Sequence, residues 1–149
     1  MARFTAAVRS PASAERTWRV LTDWSSHGRW IPLTDVRVLT PSGAGSGARF
    51  VGRTGFGPLG FDDPMEVVVW REPGPGVAGY CRVVKQGRVI LGQAWFDVTP
   101  TPDGASRVTW TEDVEIAPVA LTRWFGPMVA ALGRIALTRS LRAMAGELA

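Results

Sequence analysis

The chain has 149 residues and a mass of 16.1 kDa, with 46% hydrophobic and 20% charged residues, which suits one domain with a real core rather than a disordered segment. Its 17 basic residues outnumber 13 acidic ones, but the basic residues (16 Arg and the single Lys85) are scattered among acidic ones. A nucleic-acid surface needs a clustered stripe, so we expect no nucleic-acid partner. No apolar run approaches ~18 residues, so no membrane-spanning helix is expected, and the charged N-terminal stretch does not read as a secretory signal. A cytoplasmic location follows as the expectation. One cysteine, Cys81, and one histidine, His27, argue against a disulfide and against a metal site. No cofactor is expected.

In chain order, residues 3–9 alternate, with Phe4, Ala6 and Val8 on one side, and predict a half-buried strand. Ser13 is placed to cap a helix carrying Trp18 and Leu21, and Thr22-Asp23 to cap a second short helix over 23–30 that Pro32 ends. Strands follow over 36–39, 49–54, 65–70, 77–84, 88–98 and 107–116, joined by short Gly/Pro turns. With the first strand they make a seven-stranded antiparallel sheet. The segment 43–47 is glycine-rich but leads into a strand, so it reads as a flexible turn and not a dinucleotide loop. Asp62-Asp63 reads as turn chemistry.

The segment 119–148 predicts helix interrupted at Gly126-Pro127: a short turn or helix through Phe125, then one long helix to the end with Pro127 in its first turn. At about 100° per residue, Leu121, Trp124, Phe125, Met128, Leu132 and Ile135 share one face. Leu137, Leu141, Met144 and Leu148 lie nearly opposite. The stripe therefore switches around Gly133–Ala136. Either the helix bends at the glycine and stays buried, or its last turns meet a partner, which would make a homodimer.

A sheet with one apolar face needs a cover, and the long helix is the main one available. Small residues beside large aromatic ones (Gly92, Ala94 and Phe96; Trp110 and Glu112) predict unfilled volume between the two.

Three stretches carry a family resemblance: Ser10-Pro11 through Trp18, Asp23-Trp24 through Trp30-Ile31-Pro32, and Gly104 through Trp110. Together with the element order they resemble the helix-grip fold of the START-like superfamily, closest to its polyketide cyclase/dehydrase-like branch. The resemblance spans nearly the whole chain and is specific for fold, not for activity. It implies an α+β domain over 1–149, with a curved seven-stranded sheet wrapped around the C-terminal helix and two short helices between the first two strands. It also implies a mostly apolar pocket for a lipid, a sterol, an aromatic polyketide or another hydrophobic small molecule. Carried over by position, the expected lining is Trp30, Phe50, Met65, Val67, Val69, Ala94, Phe96, Trp110 and Glu112. Trp124, Phe125, Met128 and Leu132 would close it from the helix.

The inward parity of strand 77–84 stays open: either Gly79, Cys81 and Val83 point in, or Tyr80 and Arg82 do. Cys81 is read as a small buried hydrophobe and His27 as solvent-facing. A carboxylate in an apolar cavity can act as an acid or base. Glu112, with an inward Tyr80 or Arg82, is thus the catalytic candidate set for a cyclase or dehydrase; otherwise Glu112 pairs with an arginine at the sheet rim. The apolar hairpin 55–61 could gate the pocket, touch a membrane, pack in a dimer or fold back on its own domain.

Overall fold

The computed structural model describes residues 2–149, the side chains of Val119 and Leu121 excepted. Seven antiparallel strands form one sheet: β1 (Ala2–Ser10), β2 (Thr34–Val38), β3 (Arg49–Thr54), β4 (Phe61–Arg71), β5 (Gly79–Gln86), β6 (Ile90–Pro100) and β7 (Ser106–Ile116). Their order across the sheet is β1-β7-β6-β5-β4-β3-β2. Only β1 leaves its sequence neighbour, crossing to pair with β7. Helix α1 (Ala14–Thr22) and a 3₁₀ segment (Trp24–Arg29) fill the connection from β1 to β2, and helix α2 (Val119–Glu147) ends the chain.

Local chemistry explains α1. The Ser13 hydroxyl accepts the Arg16 N–H and caps the first turn, and Glu15 complements the positive end of the helix. The buried face is Ala14, Thr17, Trp18 and Leu21. Thr17 joins a buried hydroxyl chain, 2.7 Å from Ser10 and 3.0 Å from Ser106, and the Ser106 hydroxyl donates to the Ala12 carbonyl. These bonds tie α1 to β1 and β7 with those polar groups satisfied.

The inner face of the sheet is aromatic. Trp24 stacks on Phe50 at 4.3 Å and Phe96 on Trp110 at 4.9 Å between ring centres, while Trp18 meets Trp70 edge-on at 5.2 Å. A bulge in β4 shifts the β4–β5 register between Val67 and Val69. Val67, beside Val83, is buried; Val69, beside Arg82, faces outward, and Trp70 takes the inward place. The expected inward position of Val69 is thus corrected, because simple alternation fails across an extra residue.

Helix α2 packs chiefly on β1 and, to a lesser extent, on β7. Its break falls at Phe125 (φ −119°, ψ 21°), just before Pro127 as expected, and the further bend expected at Gly133 is not seen. Proline lacks the N–H and crowds the preceding turn, which accounts for the break. Leu141, Met144 and Leu148 are buried in the core and Leu137 packs against it, so the last turns belong to the chain's own interior. Trp124, Phe125, Met128, Leu132 and Ile135 are exposed; the side chain of Leu121, expected with them, lies outside the described residues. The reason is angular. Leu132 and Leu141 are nine residues apart, about 180° around a helix, so a straight segment can bury only one of the two rows.

Candidate functional site

A cavity of about 140 Å³ lies among the sheet's inner face, the 3₁₀ segment and the start of β2. Its apolar wall is built by alternate residues of neighbouring strands: Phe50 opposite Met65, Val83 opposite Ala94, and Cys81 opposite Phe96, which itself pairs with Trp110. Trp24, His27, Ile31 and Val36 complete it, with Thr34 and Thr54.

The wall also holds a charged cluster. Lys85 on β5 donates to Asp63 Oδ2 on β4 at 2.7 Å, and its Nζ lies 3.8 Å from Glu112 Oε2 on β7. The Trp110 indole donates to Glu112 Oε1 at 3.1 Å, and Met65 Sδ is 3.6 Å from Lys85 Nζ. The Lys85 side chain is 5% exposed. Burial, the largest single influence, would strip its proton, yet the Glu112 and Asp63 carboxylates outweigh it and raise the pKa of Lys85. Asp63 is 8% exposed, and its Oδ1 has no hydrogen-bond partner among the described residues.

His27 is buried, with Nε2 2.7 Å from the Leu21 carbonyl, so the neutral ring donates there. Burial pulls its pKa down to about 4 despite that bond and the nearby Asp23 carboxylate. The expectation of a solvent-facing His27 is corrected: it packs 4.5 Å from the Trp30 ring and 5.3 Å from Trp24. Burial likewise pushes the Cys81 thiol up to about 12.

Of the residues expected at the site, Phe50, Met65, Cys81, Ala94, Phe96, Trp110 and Glu112 meet around the cavity. Trp30 and Val67 are buried but are not part of its wall, and Val69 faces away. Trp124, Phe125, Met128 and Leu132 do not close it, since α2 buries its other row; Trp124 is 77% exposed. The parity of β5 is settled by burial, with Gly79, Cys81 and Val83 inward. Tyr80 and Arg82 therefore lie on the outer face, where Arg82 donates to the Tyr80 hydroxyl at 3.1 Å and sits over the Trp95 ring. They cannot work with Glu112 from there. The partner of Glu112 is the lone lysine and not an arginine.

Asp63 and Lys85 were not anticipated at the site. Both lie where strands run further than their apolar pattern: β4 begins at Phe61 and β5 ends at Gln86. The signal was parity, since Asp63 keeps step with Met65 and Val67, and Lys85 with Cys81 and Val83. Asp62-Asp63 is accordingly strand, with Asp62 paired to Arg53. Hairpin residues Phe56 and Leu59 are exposed, so that tip does not fold back. Among the described residues there is no cluster of His, Cys, Asp and Glu able to hold a metal ion, and no helix is long and apolar enough to cross a membrane.

The seven-stranded open sheet, the two short helical segments after β1 and the long final helix define a helix-grip fold. The chain belongs to the family described as polyketide cyclase / dehydrase and lipid transport, whose model matches residues 1–149. Similar solved structures include the protein TTHA0849 from Thermus thermophilus, with 14% identity and a TM-score of 0.78, covering 98% of this chain and 96% of that one. A START superfamily protein from Mycobacterium smegmatis shares 20% identity at a TM-score of 0.73 over 98% and 96% of the two chains. The ZhuI aromatase/cyclase from Streptomyces shares 15% at 0.70 over 98% and 92%. At these identities the likeness establishes the fold alone. Among curated proteins, none matches this chain.

Proposed function

We propose that residues 1–149 act as one ligand-binding domain that takes up a hydrophobic small molecule, lipid-, sterol- or polyketide-like, in the cavity lined by Phe50, Met65, Ala94, Phe96 and Trp110. The observation that carries this reading is unfilled, mostly apolar volume beside seven strands' worth of well-packed interior. Close packing is the rule in protein interiors, so an apolar hollow of this size among the inward side chains favours an apolar occupant that takes its surface out of water. Its volume is near that of the ~150 Å³ apolar cavity known to admit benzene. One ring or a short branched chain therefore fits, and a larger ligand would lodge one end here.

A cyclase or dehydrase reading keeps only Glu112 of its three candidate residues, because Tyr80 and Arg82 are on the other face. Glu112 is also committed to Trp110 and to Lys85. Binding is the reading these contacts favour.

The test is displacement of an apolar fluorophore from the purified chain, together with native mass spectrometry for a retained ligand. Ala94→Phe should fill the cavity and weaken binding at least about tenfold, the loss expected when a ring-sized volume is removed. Undiminished binding by a folded Ala94→Phe chain would show that the ligand sits elsewhere.

A further inference from the structure

We propose that the charged end of the cavity receives a hydrogen-bond-donating group of the ligand, a hydroxyl or an ammonium, and turns away a carboxylate. This rests on the binding role proposed above and narrows it to a ligand class.

The inference follows from which polar capacity in the wall is already used. Lys85 Nζ holds Asp63 Oδ2 at 2.7 Å, with Met65 Sδ at 3.6 Å and Glu112 Oε2 at 3.8 Å beside it, and the Trp110 indole holds Glu112 Oε1 at 3.1 Å. One acceptor is left over: Asp63 Oδ1 is buried with no donor among the described residues. Buried carboxylate oxygens are normally satisfied, so an unpaired one on a residue of the cavity wall marks a place where a donor is missing. The cluster also has one more acidic group than basic, and Lys85 is held protonated between the two carboxylates. An incoming carboxylate would meet a bare acceptor and like charge, with Lys85 already held by its two carboxylates. A hydroxyl or ammonium would meet an acceptor already oriented by its bond to Lys85.

Four one-ring molecules sharing one apolar body separate the possibilities: toluene, 4-methylphenol, 4-methylbenzylamine and 4-methylbenzoate. Their binding to the unaltered chain is read from the NMR shifts of the Trp110 indole N–H and the Ala94 amide. At least one of the two donors should bind about tenfold or more tightly than toluene, the range for a hydrogen bond to a charged group. The benzoate should bind more weakly than toluene. A gain confined to the amine assigns an ammonium, and a gain shared by the phenol assigns a hydroxyl.

Toluene binding as well as both donors, or the benzoate binding best, overturns the inference while leaving the apolar cavity intact. If even toluene leaves both signals unmoved, the binding role itself fails, and this inference with it. A second measurement isolates the residue: in Asp63→Asn the donors should come within about threefold of toluene, most of a charge-assisted bond being gone. An unchanged gap there would overturn the role of Asp63.

Discussion

A Cβ added to Gly133 of α2 would stand 2.6 Å from the ring of Phe4 on β1. The helix lies on the edge strand at a distance that only a glycine permits. Gly133→Ala would ordinarily gain about 1 kcal/mol of helix propensity. Here crowding costing roughly 1–3 kcal/mol should reverse that gain. Urea denaturation should therefore show Gly133→Ala as destabilising in the natural chain and stabilising by about 1 kcal/mol in a Phe4→Ala background. The same sign in both backgrounds would mean that the helix does not rest on Phe4.

His27 predicts an acid-sensitive fold. Its pKa is about 4 in the folded chain against an ordinary 6.5, so between these values the unfolded chain binds the proton more readily. The contribution is intact above pH 6.5 and is lost as pH falls towards 4. From pH 7 to pH 5 the loss should be about 2 kcal/mol, at about 1.4 kcal/mol per unit of pH within the window. Replacing His27 by Gln, which can still donate to the Leu21 carbonyl, should flatten that dependence; an equal slope in both chains would place the sensitivity elsewhere.

Removing the cation from the cavity's charged cluster should cost far more than neutralising one carboxylate. Lys85→Met leaves Asp63 and Glu112 without their buried partner, a loss of about 3–5 kcal/mol. Glu112→Gln keeps an acceptor for the Trp110 indole and leaves the 2.7 Å Lys85–Asp63 pair in place, so about 1 kcal/mol is expected. Lys85 holds its proton more tightly folded than unfolded, so its contribution is full below the ordinary lysine value of 10.5 and fades as pH rises above it. Equal costs for the two substitutions in thermal or chemical melts would refute this division.

Cys81 should be inert in the folded chain. It is fully buried and burial raises its pKa to about 12, leaving almost no thiolate at pH 8. A thiol reagent such as DTNB should label it at the rate of unfolding and at once in concentrated urea. Fast labelling in native buffer would show an open path from solvent to the cavity wall.

The strands and their antiparallel meander were legible because alternation and Gly/Pro punctuation are local signals; the crossing of β1 to β7 is a long-range pairing that no local signal carries. The helix was legible in extent but not in facing. Large apolar residues on the Trp124–Ile135 row outweigh Ala130 and Gly133, which stand in line with Leu137, Leu141 and Met144; small residues carry little hydrophobic signal even when they mark the closest approach. The apolar wall was readable from parity in β6 and β7, whereas the charged cluster was hidden by strand ends. Asp63 and Lys85 lie beyond the last obvious apolar residue of their strands, where only the pairing partner reveals that the ladder continues.

The bulge in β4 has a consequence for what this strand can tolerate. Asp63 and Trp70 both face inward although an odd number of positions separates them, and it is the unpaired residue near Val68 that brings the second back into phase. One ribbon thereby serves two clients, the polar end of the cavity and the indole of Trp18 on the first helix. Deleting Val68 would leave an even separation, so plain alternation would keep both inward, whereas deleting any other single residue between them with the bulge retained would turn one outward.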